Sequence, residues 1–343
     1  MAQISMQLNY SGNKSDVIAD VLEYERRGLD VVWVPEAYSF DAPTAMGYLA
    51  AVTKSVKIAS GILPIYSRTP ALIAMTAAAV DELSGGRAIL GLGASGPQVI
   101  EGFHGVSYDR PLARTREVVE ICRSVWRREP LVHHGIYEIP LPLERGTGLG
   151  KPLKLINHPL RGSIPIYIAA IGPKNVELAA EVAEGWLPIF FVPEFKDRIW
   201  KSSIDSGLSR RDLGLDPFDI VAGGLLAIGD DVDQLVDLAR PLVALYVGGM
   251  GAKGKNFYND LARRYGYEEE AQEIQELYLS GHKEEAAQKV PEELLKLSNF
   301  VGSKGFVKER VEAFKDAGVG TFSVTPVGSN RYESFEIFRE MTQ

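Results

Sequence analysis

Short apolar runs alternate with segments of helical period along almost the whole chain, and this alternation limits the possible folds more than any other feature. The run DVVWVP at residues 30–35 is typical of a strand covered on both faces. Residues 14–27 show helical period, and Gly28 ends that segment, as glycine commonly does at a helix C-terminus. Strands that alternate with helices predict a parallel sheet with right-handed crossovers.

Eight βα units predict a (β/α)8 TIM barrel, with a doubly wound sheet as the alternative. We expect strands at residues 2–8, 30–35, 56–59, 88–92, 164–169, 186–191, 220–228 and 320–325. The chain is then a single domain, 1–343, with insertions at about 129–163 and 250–300. The first insertion contains a possible hairpin at 133–142, and the second is charged and helical.

Composition places the chain among ordinary globular proteins. Hydrophobic residues make up 45% and charged residues 24%, and the formal net charge is −8 without a basic block. These values exclude disorder and argue against binding to nucleic acid or to a membrane surface. No signal peptide is recognisable, and the longest apolar run, 70–80, is too short to span a bilayer. We therefore expect a soluble, cytoplasmic protein whose one cysteine, Cys122, lies in the core.

The C-terminal ends of barrel strands carry the active site in this fold, so the candidate site residues lie in the loops after the predicted strands. They are rich in aromatic residues and glycine and contain almost no histidine or cysteine. His133 and His134 are adjacent, and in a strand they would face opposite sides. We expect no metal site and no nucleophile elbow. The loops suit a large planar ligand with a phosphate better than they suit hydrolysis.

Two of these loops are candidates for cofactor contacts. Residues 91–96 match GxGxxG, which allows a dinucleotide site, backbone lying close to a cofactor ring, or a plain turn. The segment 170–173 opens a predicted helix, whose free N–H groups form an anion site, to which Lys174 could add charge. Ordinary helix geometry is the alternative there.

Glu36 is the one carboxylate at the C-terminal edge of the second predicted strand, beside Tyr38. A carboxylate among apolar neighbours can serve as a general acid or base, and a surface or capping role is the alternative. Tyr66 and Arg68 follow the third strand, where Arg68 could bind an anionic ligand or pair on the surface.

Two segments resemble a known family. Residues 30–105, which include SGGRAILGLG, resemble the bacterial-luciferase-like family, and most closely its branch that uses the deazaflavin coenzyme F420. Residues 166–188, which include GPKNVELAAEVAEGW, resemble that family's phosphate-side segment. The resemblance implies a (β/α)8 barrel with a cofactor in its mouth, and a non-proline cis peptide at Gly61–Ile62 behind the ring.

The resemblance also implies the cofactor contacts. These are Ser60, Gly61 and Ile62 beside the ring, and Ser95, Gly96, Gln98, Ala170, Ile171, Gly172 and Pro173 along the ribityl chain and phosphate. In several F420 enzymes an Asp-His pair ends the second strand, whereas here that place reads Pro35-Glu36-Ala37-Tyr38. We expect Glu36 as the catalytic proton-transfer group, with Asn9, Tyr10, Tyr38 and Tyr66 on the substrate side.

The resulting hypothesis is a coenzyme F420-dependent oxidoreductase that moves a hydride between deazaflavin C5 and a small organic substrate. In this class the protein supplies the pocket and the cofactor carries the redox chemistry. One alternative is an FMN-dependent monooxygenase on the same barrel, and another is a non-catalytic flavin-binding or deazaflavin-binding protein. The insertions at 129–163 and 250–300 should determine the substrate, and we expect a homodimer.

Overall fold

The computed structural model describes residues 2–9, 14–251 and 254–343, and within them the strands form two parallel sheets. The strands are β1 Gln3–Gln7, β2 Val31–Val34, β3 Lys57–Ser60, β4 Leu63–Pro64, β5 Ala88–Gly93, β6 Ile166–Ala169, β7 Gly185–Leu187, β8 Asp219–Ala222, β9 Leu225–Ile228, β10 Phe300–Gly302, β11 Val319–Ser323 and β12 Thr325–Pro326.

The larger sheet closes on itself. Its order is β3-β2-β1-β11-β8-β7-β6-β5, and β3 also pairs with β5, so that eight parallel strands of the described chain form a barrel. Strand β4 lies beyond β3 and continues the pairing with β5. The predicted (β/α)8 barrel is confirmed, and its strands begin and end within a few residues of the predicted bounds in most cases.

Helices follow the barrel strands and pack on the outside. They are α1 Lys14–Arg26, α2 Ala42–Val52, α3 Pro70–Ser84, α4 Pro97–Gly102, α5 Pro111–Trp126, α6 Pro173–Val182, α7 Lys196–Ile199, α8 Lys201–Leu208, α9 Arg240–Ala244, α10 Phe257–Arg264, α11 Glu268–Leu279, α12 Lys283–Gln288, α13 Glu292–Ser298, α14 Lys304–Asp316 and α15 Arg331–Thr342. Local chemistry sets several ends: the Asp41 and Thr69 side chains cap α2 and α3, and Gly85 ends α3 in the left-handed conformation.

Two predicted strands, 220–228 and 320–325, are wrong as single strands. Each leaves the barrel partway along: the first divides into β8 and β9, and the second into β11 and β12. The break in the first lies at Gly223 and Gly224, where Gly223 has a φ of +152° and a Cβ at residue 224 would overlap Asn299. Strands β9, β10 and β12 form a small second sheet. The N–H of Leu225, at the start of β9, donates a hydrogen bond to the Asn299 side-chain oxygen at 2.6 Å.

Two other predicted elements are also wrong in their details. The expected hairpin at 133–142 is reduced to one antiparallel bridge between His133 and Ile139, because the N–H groups of Ile136 and Tyr137 donate to the Glu117 carboxylate instead of to a partner strand. Residues 192–210, whose sequence predicts a single helix, instead form a 3-10 turn followed by α7 and α8, which separate at Trp200.

The cysteine and the helices can be compared with what the composition predicts. Cys122 is fully buried on α5, as expected for a core cysteine, and burial raises the pKa of its thiol. In the described part of the chain, no helix combines the length and the apolar character needed to cross a membrane.

The barrel interior is filled by side chains rather than open. Val31, Trp33, Ala59, Ile89 and Val221 form its buried cluster, against which the ring of Tyr167 packs. At the amino-terminal end of the barrel, the Asp219 carboxylate accepts hydrogen bonds from Tyr167 Oη at 3.1 Å and Thr321 Oγ1 at 2.7 Å. Burial raises the pKa of Asp219. This end of the barrel is a packed plug, so the open end lies at the other rim.

Strand β3 makes a close contact with β5 where it reaches that rim. The Ser60 hydroxyl donates to the carbonyl of Gly91 and accepts its N–H, both at 2.8 Å. A Cβ at residue 91 would overlap the Ser60 carbonyl oxygen. The peptide bond between Gly61 and Ile62 is cis, which confirms the prediction for this position.

We predict that Gly91→Ala lowers the free energy of unfolding by about 1–3 kcal/mol, the usual range for overpacking, because the added methyl group collides with backbone that cannot rotate away. Gly102→Ala is the matched control, since nothing lies within 4 Å of a Cβ at that position. Denaturant unfolding of both variants measures the difference. Equal stability of the two would contradict the close contact between β3 and β5.

Candidate active site

The parallel barrel brings most of the sequence-predicted site residues to one rim. Glu36 follows β2, Gly61 and Ile62 follow β3, Ser95 follows β5, and Ala170 follows β6. Because parallel strands end on the same side, these segments surround a single mouth. Within the described chain, no group of three His, Cys, Asp or Glu side chains is arranged to hold a metal ion.

The floor of the mouth is made of small residues around Trp33. Cβ atoms at residues 61 and 91 would each lie within 3.5 Å of the Trp33 side chain. Because both residues are glycines, the surface next to Trp33 carries no side chains at these two positions and is flat. Gly93 faces the side chain of Ile62 and the methyl group of Ala169. The buried indole N–H of Trp33 has no hydrogen-bond partner among the described residues. Such a flat, apolar floor fits a planar ring system.

The start of α6 is the predicted anion side. Gly172 is its N-cap without a side-chain capping bond, and Pro173 occupies the first turn. Intrahelical bonding begins with the N–H groups of Asn175 and Val176, which donate to the Gly172 carbonyl. The N–H of Lys174 and the helix dipole are therefore directed at the loop, an arrangement that binds anions.

The sequence allowed the Lys174 ammonium to add positive charge to this anion site, but in the structure it pairs with a carboxylate. Its Nζ lies 2.9 Å from a carboxylate oxygen of Glu177, and the hydrogen bonds from Lys174 and Arg210 lower the pKa of Glu177 to about 2. On the neighbouring loop, Ser95 has a φ of +57°, and Gly96 caps α4 with no side-chain bond. Gln98, on α4, is exposed at the same rim.

Glu36 forms a buried ion pair with Arg68. The guanidinium donates to both carboxylate oxygens, at 2.5 and 2.9 Å, and the side chains are 6% and 14% exposed. The second oxygen also accepts the N–H of Ala42 at 2.7 Å, at the start of α2. The pair thus joins the end of β2, the loop after β4 and the N-terminus of α2. Arg68 is therefore paired, as one of its two predicted roles required, but in a buried contact rather than on the surface.

The other predicted substrate-side residues are less closely grouped. Tyr66 is buried, and its hydroxyl donates to the carbonyl of Asp109 at 2.8 Å. Tyr38 is exposed, with its ring 6.2 Å from that of Phe103. Asn9 is exposed beyond β1, and Tyr10 lies outside the described residues.

Aromatic side chains border the mouth in two groups, Tyr66 with Tyr108 and Phe190 with Tyr246 and Tyr258, and we call them together the aromatic arc. Of these residues, the sequence predicted Tyr66 and none of the other four. The ring centroids are 5.2 Å apart for Tyr66 and Tyr108, 4.7 Å for Tyr246 and Tyr258, and 5.6 Å for Phe190 and Tyr246. Tyr258 comes from the second insertion, and Tyr246 comes from the π-helical segment Leu245–Gly249 just before it. No sequence pattern ties either ring to the barrel.

Comparison with known proteins gives consistent matches. Residues 1–321 match the family described as luciferase-like monooxygenase. A Mycobacterium tuberculosis (strain H37Rv) protein that carries the provisional name of a coenzyme F420-dependent oxidoreductase is 41% identical over 336 residues, 95% of each chain. The 5,10-methylenetetrahydromethanopterin reductase of Archaeoglobus fulgidus is 31% identical over 323 residues, 91% of this chain and 90% of its own.

Solved structures agree on the fold. The coenzyme F420-dependent tetrahydromethanopterin reductase from Methanopyrus kandleri superposes with a TM-score of 0.81 at 22% identity, covering 98% of this chain and 96% of its own. An F420-dependent secondary alcohol dehydrogenase superposes with a TM-score of 0.75 at 19% identity, covering 100% and 99%. At these identities the likeness supports the barrel rather than a shared substrate.

We predict that Arg68→Met lowers the free energy of unfolding by about 3–5 kcal/mol, because it leaves the buried Glu36 carboxylate without its cation. The double variant with Glu36→Gln should recover part of that loss, since no unpaired charge remains. Arg110→Met is the control: its pair with Asp109 is exposed and should contribute at most about 1 kcal/mol. Denaturant unfolding of the variants tests this, and equal losses for Arg68 and Arg110 would contradict it.

Proposed function

This chain belongs to the luciferase-like monooxygenase family, and from that premise we propose that it is a coenzyme F420-dependent oxidoreductase acting on a small organic substrate. The main support for F420 as the cofactor is the 41% identity, across 95% of both chains, to a relative named for F420. When bound, the deazaflavin supplies a carbon that accepts or donates a hydride. The expected fold, family and cofactor are thereby confirmed, and the substrate is open.

The barrel mouth fits such a cofactor. The ring would lie on the floor over Trp33, beside Ser60, Gly61 and Ile62, where Gly61 packs directly against the Trp33 side chain. The ribityl chain and phosphate would run to the loop after β5 and the start of α6. The residues assigned to these contacts are Ser95, Gly96, Gln98, Ala170, Ile171, Gly172 and Pro173. Free backbone N–H groups and the helix dipole support this direction.

We predict that the apo protein binds oxidised F420 saturably in the low-micromolar range and FMN much more weakly. Both cofactors have a phosphate on a ribityl chain, so only a direct comparison separates the deazaflavin enzyme from the FMN monooxygenase. Paired fluorescence titrations provide it. Preference for FMN would favour the monooxygenase, and binding of neither cofactor by folded protein would remove the proposal.

Glu36 has two possible roles in this reaction. The sequence prediction is proton transfer, and it stays a prediction. The bidentate contact with Arg68 and the N–H of Ala42 support a positioning role, in which Glu36 acts by holding the rim together.

Turnover of the two single variants separates these roles. For proton transfer, Glu36→Gln should lower kcat by about 100-fold or more and remove one limb of the pH profile. For positioning, we expect Glu36→Gln and Arg68→Met to reduce kcat by similar factors, with a double variant no slower than either. Steady-state rates across pH, with F420 binding measured in parallel, decide between them, and the second outcome is the one that the geometry favours.

A homodimer in the cytoplasm completes the proposed function. Tyr48 on α2 and Leu72 and Met75 on α3 are 45–57% exposed, and Leu72 and Met75 lie three residues apart on one face of α3. In the first insertion, Leu149 and Ile156 are also exposed. Exposed apolar side chains on two packed helices are typical of a protein–protein interface, and a two-fold dimer would bury the same residues on each copy.

We predict that Leu72→Glu combined with Met75→Glu converts a dimer into a monomer, because two carboxylates would be desolvated at the interface. Leu213→Glu is the control, as Leu213 is fully exposed in the loop after α8. Light scattering after size exclusion measures the mass of each variant. A wild-type monomer would dismiss this interface.

A further inference from the structure

A polar cavity lies within the second insertion, between α10 and α11. Its volume is about 450 Å³, which is within the usual range for sites that bind small molecules. The side chains of interest that line it are Asn256, Asn259, Asp260 and Arg263 from α10 and its N-cap, and Gln272 and Gln275 from α11.

The cavity faces away from the side of α10 that contacts the aromatic arc. Residues 256, 259, 260 and 263 have helical spacing and share one face of α10. Tyr258, whose ring centroid is 4.7 Å from that of Tyr246, lies two positions, or about 200°, around the helix from Asp260. Of the described residues, none that we assign to the cofactor lines the cavity. It is therefore separate from the candidate active site.

Two buried asparagines hold the walls of the cavity in place. Asn256 Nδ2 donates to the carbonyls of Tyr246 and Val247, both at 2.9 Å. Asn259 Nδ2 donates to the carbonyls of Val247 and Ala271, at 3.1 and 2.6 Å. These bonds join α10 to α11 and to the π-helical segment before the insertion. The cavity is therefore shaped by the fold itself.

The inner side of the cavity carries a buried amide. Gln275 is 5% exposed, and its Nε2 forms no hydrogen bond with any residue in the described ranges. Buried donors in folded proteins are almost always paired, because an unpaired one is costly. A ligand with an oxygen acceptor would gain a hydrogen bond here without displacing a protein partner.

Two side chains of opposite charge line the same cavity without pairing with each other. The Arg263 guanidinium donates through Nε to Asn259 Oδ1 at 2.8 Å, and its two terminal amino groups bind no residue of the described chain. The Asp260 carboxylate is exposed and has no hydrogen bond or ion pair with the residues described. A ligand with a single charge would be attracted by one group and repelled by the other, whereas a zwitterion complements both.

We propose that this cavity is a binding site for a small polar zwitterion of the α-amino acid class. The ligand carboxylate accepts hydrogen bonds from the fork of the Arg263 guanidinium, which matches carboxylate geometry. The ligand ammonium pairs with Asp260, and a side-chain oxygen accepts from Gln275 Nε2. The site is independent of the proposed oxidoreductase activity, so its test can fail without affecting that proposal.

Calorimetric titration of the full-length protein with L-glutamine tests the site. Two analogues separate the charges, because glutaramate lacks only the ammonium and 4-aminobutanamide lacks only the carboxylate. The wild-type protein should bind L-glutamine about 10-fold or more tightly than either analogue, the effect of one charge-assisted hydrogen bond. Equal affinities for the three compounds, or no binding of L-glutamine, would overturn the proposal.

Substitutions assign each charge to a side chain. Arg263→Met should weaken L-glutamine about 10-fold and leave 4-aminobutanamide, which has no carboxylate, unchanged. Asp260→Asn should remove the preference for L-glutamine over glutaramate. Lys296→Met is the matched control, since it removes a positive charge from α13 in the same insertion, outside the cavity, and it should change no affinity. Equal losses of both probes in Arg263→Met would contradict the carboxylate contact.

Gln275→Met distinguishes ligand binding from a structural role of the amide. Methionine has a similar size and no donor, and Gln275 Nε2 has no partner to lose among the described residues. The ligand-free variant should therefore be at least as stable as wild type in denaturant unfolding. It should bind L-glutamine roughly 3- to 10-fold more weakly, the effect of one neutral hydrogen bond. Lower stability with unchanged affinity would overturn the proposal.

Discussion

The close contact between β3 and β5 is the constraint on which the barrel mouth depends. The Ser60 hydroxyl satisfies both backbone polar groups of Gly91, and the Ser60 carbonyl occupies the space of a side chain at that residue. Strand β3 can leave the barrel wall here and resume as β4 only because residue 91 has no Cβ. The flat floor over Trp33, and with it the fit to a planar cofactor, depends on the missing side chain at residue 91.

Around that floor, charge and aromatic surface are divided. The buried ion pair of Glu36 with Arg68 holds the end of β2, the loop after β4 and the start of α2 together, whereas Lys174 pairs with Glu177 on the exposed surface of α6. The aromatic arc supplies the remaining wall. Such a rim orients ligands by shape and by a few hydrogen bonds. A cofactor phosphate would be bound by the free backbone N–H groups at the start of α6.

Predictions from sequence succeed where a feature depends on neighbouring residues, and they fail where it depends on residues far away in the chain. The eight barrel strands were predicted because a strand buried on both faces is an apolar run that any reader of the sequence can see. The cis peptide at Gly61–Ile62 came from family resemblance, since no local pattern indicates it. Strand 220–228 was predicted as one element because its apolar run continues through Gly223 and Gly224, whose break depends on Asn299, about 75 residues away.

The sequence by itself determined the barrel, the family and the segments that meet at the rim, because alternation and strand polarity are properties of the chain order. Only the tertiary structure decided what those residues do there. It gave the Glu36 carboxylate a guanidinium partner from a different loop, and it packed the ring of Tyr246 against that of Phe190. These contacts join residues that are 32 and 56 positions apart, and side-chain pairing over that distance depends on packing geometry, which a linear sequence pattern does not show.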